Sequence, residues 1–116
     1  MAAPIEVATR GVPVSLLASV TTGTGIAKAV PNNCFYNRFN VKGEGTISAG
    51  NLIVEEASDP NYAGLWSQLA TIDLTTLSGN KAQTYHALGS MSFIRARISV
   101  DLTGGGTTSV DWVSAG

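Results

Sequence analysis

Charged side chains are scarce in this sequence. Lys, Arg, Asp and Glu account for 13% of its 116 residues, against about 25% in most soluble domains. A domain that stays soluble alone normally carries more charge, so the deficit points to a surface partly covered by neighbours. The net formal charge is −1, and the seven basic residues are spread along the chain without a run. Binding nucleic acid by counterion release needs a concentrated cationic patch, so no nucleic-acid partner is expected. Cysteine is almost absent. Cys34 stands alone, which excludes an internal disulfide framework and gives no sign of a zinc site; it reads as a small buried thiol. Histidine is also single. A catalytic triad would need His86 beside a nucleophile and a carboxylate, and nothing in the sequence places them there. It reads as a surface or hydrogen-bonded side chain, and no catalytic residue is nominated. No apolar run approaches the ~20 residues that cross a bilayer, and the first residues lack the basic start and apolar core of a signal peptide. A membrane partner is therefore not expected, and synthesis in a cytoplasm is.

What the sequence has instead is alternation. From Ile94 onward the even positions are Ile94, Ala96, Ile98, Val100 and Leu102, and the odd ones are Arg95, Arg97, Ser99 and Asp101. Successive side chains of a strand point to opposite faces, so one face is apolar and the other polar. Gly104-Gly105-Gly106 then turns the chain, and Val110 and Trp112 resume the apolar parity, which predicts a β-hairpin. Two registers keep that parity. One sets Asp101 directly against Asp111, a destabilising pair of like charges. The expected register is the other, with Val100 against Val110, Ile98 against Trp112 and Ser99 against Asp111. The glycines carry no phosphate-loop pattern, since neither a Lys-Ser/Thr pair nor a helix follows.

The same alternation recurs upstream. Strands are expected over 12–20, 26–30, 34–42, 52–57, 66–72 and 82–88, with Phe39, Val41, Leu52 and Val54 inward. Turns are expected at 21–25, 43–45 and 49–51, and a loop at 58–64. The expected fold is all-β: a single antiparallel β-sandwich, jelly-roll-like, of about eight short strands. Residues 1–11 form an extended N-terminal arm and residues 12–116 the sandwich.

Few residues suggest chemistry. Glu55 and Glu56 are adjacent on a strand and point to opposite faces, so they cannot act as a pair of carboxylates. Glu56, Asp59 and Asp73 lack a full calcium-ligand pattern, and neither metal nor cofactor is expected. Arg95 and Arg97 share one face, where they can hold an anion or, more simply, pair with carboxylates on that face or across an interface. Tyr62, on a polar loop, is the best candidate for touching a partner. Trp66 is open between core and contact, and Trp112 belongs to the core.

Thr22-Gly23-Thr24-Gly25, Gly43-Glu44-Gly45-Thr46-Ile47, Val54-Glu55-Glu56-Ala57, the Trp66 to Ile72 strand and Phe93-Ile94-Arg95-Ala96-Arg97-Ile98 follow one another in an order that resembles small bacteriophage virion proteins. The resemblance runs from about Val20 to the end, and its motifs are structural. It implies a non-enzymatic β-sandwich subunit of the virion, made in the host cytoplasm: a head decoration (cement) protein or a fibre component. Its partners would be other copies of itself and other virion proteins, such as a major capsid protein. The alternative is a carbohydrate- or receptor-binding module of a phage fibre or tail. The contact residues expected are Pro4 and Ile5 in the arm, with Tyr62, Trp66, Arg95 and Arg97 on the sandwich. The arm lies outside the resemblance.

Overall fold

The computed structural model describes residues 6–116, so Pro4 and Ile5 lie outside the described residues. Eight strands are present among them: β1 (Val14–Val20), β2 (Lys28–Ala29), β3 (Tyr36–Glu44), β4 (Ala49–Ala57), β5 (Ser67–Asp73), β6 (Ala82–Leu88), β7 (Phe93–Thr103) and β8 (Thr107–Ala115). A single 3₁₀ turn, Leu74–Leu77, follows β5; Asp73 caps it by accepting from the Thr75 N–H at 3.1 Å. Leu74 and Leu77 are buried in the core.

The strands form two antiparallel four-stranded sheets, ordered β1-β8-β3-β6 and β2-β7-β4-β5. Strand 1 pairs with 8, 2 with 7, 3 with 6 and 4 with 5. That is the nesting of one long hairpin, with alternate pairs laid in opposite sheets. The β3–β8 and β4–β7 ladders join the pairs within each sheet. The inner faces meet in a core where Phe39, Val41, Leu52, Val54, Ile72, Ile94, Val110 and Trp112 are buried. Each such side chain contributes about 1.5–3 kcal/mol by leaving water. The Trp112 indole N–H donates to Asn37 Oδ1 at 3.0 Å, so the buried ring keeps its polar atom satisfied.

The expected hairpin between β7 and β8 does not form: β7 pairs with β2 and β4, and β8 with β1 and β3. Both strands do turn apolar faces inward, as Ile94, Ala96, Ile98, Val110 and Trp112 are buried. Two such strands satisfy that rule equally by lying side by side or by facing each other across a core. The chain takes the second route, and Gly104 and Gly105, at φ +105° and +94°, carry it between sheets.

Smaller expectations also fail: Gly43 and Glu44 extend β3 rather than forming a turn. Residues 49–51 belong to β4 rather than to a turn. Val100 points outward and is 47% exposed. The cause is a pair of irregularities: the β4–β7 register shifts between Ala49 and Asn51 and again between Asn51 and Leu52. The shifts bracket Val100, turning it out while Leu102 stays inside. Gly50 sits at this bulge with φ +149°, and a Cβ there would run into Leu102.

The described part of the N-terminal arm lies on its own sandwich. Val7 bridges Ala29 in parallel, the Ala29 N–H donates to the Glu6 carbonyl at 2.9 Å, and Lys28 Nζ donates to Glu6 Oε2 at 2.7 Å. The arm thus covers the edge that the two-residue strand β2 leaves open.

Candidate docking face on the second sheet

The β4–β7 ladder places Glu55 directly opposite Arg95 and Ile53 opposite Arg97. Parity turns all four side chains to the outer face of the sheet, away from the core. Arg95 Nε donates to Glu55 Oε2 at 2.8 Å, and Arg97 donates to Oε1 from Nε at 3.2 Å and from Nη2 at 3.1 Å. One carboxylate thus holds two guanidiniums, and the Glu55 side chain is only 2% exposed. Its neighbour Glu56 is not part of this cluster. The arginines do pair with a carboxylate on their own face.

An outer face is normally wet; here the loop between β4 and β5 folds back and covers it. The Arg95 guanidinium carbon lies 3.9 Å from the centre of the Trp66 ring, within cation–π range. The Trp66 indole N–H donates to the Tyr62 carbonyl at 2.8 Å. Trp66, Ala27, Ala57 and half-buried Phe93 form a small apolar cluster of their own. Within the loop, the Asp59 carbonyl accepts from the Tyr62 N–H and Asp59 Oδ1 from the Asn61 N–H, so Asp59 serves a local turn. The hydroxyl end of the Tyr62 ring lies over Gly64, where a Cβ would push it aside.

Four of the six expected contact residues therefore belong to one cluster: Tyr62, Trp66, Arg95 and Arg97. They do not play one role. Trp66 is buried, with a ring face taken by Arg95; Tyr62 is half exposed, and Leu65 is 94% exposed. Tyr62 and Leu65 line an open cleft of about 320 Å³ with Glu56, Ala57, Ser58 and Ser67. Glu55 and Leu65 were not among the residues expected to matter. The pairing of β4 with β7 is the signal that would have found Glu55. The arrangement offers an apolar tip held on a rigid, ion-paired base, which suits docking.

Elsewhere the Tyr36 hydroxyl and His86 Nδ1 are hydrogen-bonded at 2.7 Å on the surface, and Cys34 is buried. Among the described residues no three His, Cys, Asp or Glu side chains group as metal ligands, and no helix is long and apolar enough to cross a membrane. Comparison with protein-family models, curated proteins and solved structures finds no match for the chain.

Proposed function

We propose that the chain is a non-enzymatic structural subunit of a bacteriophage virion, a decoration or cement protein that binds neighbouring virion proteins in many copies. The observation that carries this is the grouping of large apolar side chains on the surface of a sparsely charged sandwich. Leu65 and Tyr62 form one group. Tyr36 and Leu88 form another: they are ladder partners on β3 and β6, and both are exposed. Grouped exposed apolar residues mark contact surfaces more often than scattered ones do. The nested winding, 1-8-3-6 against 2-7-4-5, is in our reading that of an eight-stranded jelly roll, an architecture used by viral capsid and lectin domains alike. Fold alone does not choose between those uses.

Counting the chain in purified virus particles tests the proposal. Hundreds of copies per particle support a capsid-coating role, a handful moves the subunit to a fibre or tail, and absence overturns the assignment. The glycan-binding alternative keeps Tyr62 beside its cleft, while Trp66 offers no open ring for a sugar to stack on. Saturable glycan binding lost in Tyr62→Ala would restore it.

A further inference from the structure

Each sheet has two edges, and three of the four are blocked. Edge strands present unpaired backbone groups, and proteins protect them with bulges, prolines, charges, short strands or covering segments. β1 follows Pro13 and breaks register twice along β8. β2 is two residues long and carries residues 6–8 of the arm. β5 has a register shift within its ladder and ends at Asp73. β6 has none of these devices. Its seven residues, Ala-Gln-Thr-Tyr-His-Ala-Leu, form an unbroken ladder with β3 and contain neither proline nor Lys, Arg, Asp or Glu.

The bonding parity of that ladder is readable. Gly43 N–H donates to the Lys81 carbonyl and Gly89 N–H to the Phe35 carbonyl, so the odd residues of β6 bond to β3. The N–H and C=O groups of Ala82, Thr84, His86 and Leu88 therefore point to the open edge, where no described strand meets them.

We infer that β6 is a self-pairing edge, joining a second copy of this chain antiparallel about a two-fold axis at Tyr85. A two-fold antiparallel pairing centred on Tyr85 sets Ala82 against the partner's Leu88 and Thr84 against the partner's His86. These are the residues whose backbone groups face outward, so each pair exchanges both hydrogen bonds. Both ends of the strand are used, and no like charges are opposed within it. Leu88, 71% exposed in the single chain, gains a neighbour. The product is one continuous eight-stranded sheet across two sandwiches. A seven-residue edge buries less than the ~800 Å² per partner of a standard stable interface, so the dimer is weak alone and is reinforced where copies are held close together. The inference rests on the proposed role as a self-associating subunit, but it does not require the virion.

Sedimentation of the full chain up to about 1 mM tests it, separately from particle counting. The expected result is a reversible monomer–dimer equilibrium. Thr84→Pro removes an outward N–H that β3 does not use, so it should leave the sandwich folded and weaken the dimer by about tenfold or more. Thr84→Lys, a gentler block, should do the same if the proline variant does not fold. The register is tested by oxidation: Tyr85→Cys should form a disulfide-linked dimer, since facing residues of that pair are about 4.5 Å apart. Gln83→Cys should not. A wild-type chain that stays monomeric at 1 mM overturns the inference. So do folded edge variants that dimerise undiminished, or a Tyr85→Cys chain that dimerises without cross-linking. If particles contain the chain while it stays monomeric, the edge pairing fails and the virion role stands.

Discussion

On the sheet β1-β8-β3-β6 the outward side chains Tyr36, Arg38 and Lys42 are exposed. The ion pair there, Lys42 Nζ to Asp111 Oδ2, spans 3.7 Å between side chains 51% and 42% exposed. On the sheet β2-β7-β4-β5 the outward Glu55 is buried, holds two arginines and lies beneath a tryptophan. Both rows come from the same alternation of strand residues. The difference is a loop. Residues 58–66 fold back over the second sheet and turn a polar outer face into a small second core. Parity therefore decides which face a side chain takes, and the covering segment decides whether that face meets water. Energetically the two pairs belong to different regimes. An exposed pair is worth about 0–1 kcal/mol, whereas removing one member of a buried pair costs about 3–5 kcal/mol, because a charge is left unmatched.

That contrast can be broken experimentally. Trp66→Ala should have the largest effect, about 3–5 kcal/mol in chemical denaturation, because it empties the small cluster and uncovers Arg95. It should also speed proteolysis within 58–66, and an unchanged cleavage rate would show that the loop is held by other means. Glu55→Ala comes next, with a loss of about 3 kcal/mol, at the low end because Arg97 reaches solvent. Asp111→Ala should cost less than about 1 kcal/mol, and the cost should shrink further in high salt. Equal losses for Glu55→Ala and Asp111→Ala would erase the distinction between the faces. The smallest effect concerns Tyr85, on the first sheet. Burial pushes its phenol above the ordinary tyrosine value, so the folded state favours the neutral form. Its contribution is fully present below pH 10 or so and is lost as pH rises through the folded value. Tyr85→Phe should flatten that alkaline decline slightly, as seen by comparing midpoints at pH 9 and pH 11.

Much of the strand pattern was legible because alternation is local. The segments 82–88 and 66–72 coincide with β6 and β5 to within a residue. Trp112, Phe39 and Val41 are in the core as their parity requires. The site was legible only in part. Arg95 and Arg97 announce a shared polar face, but their carboxylate lies some 40 residues upstream, with |i−j| of 40 and 42. Trp66 left core and contact equally open from sequence, because the contact that buries it is made by Arg95 across a different strand.

What the sequence determined by itself is most of the strands, the face most of their residues take and the all-β class, since a period of two needs only neighbouring residues to be heard. The tertiary structure decided which strands are neighbours. Ile98 and Trp112 satisfy the same parity whether they flank each other or meet across the core, and local pattern is blind to that choice. It also decided that Glu55 is buried and that β6 is left open, because burial and edge position depend on how distant segments wrap. Two one-residue shifts on either side of the Asn51–Val100 pair were enough to turn Val100 outward, and only the paired strand makes them visible.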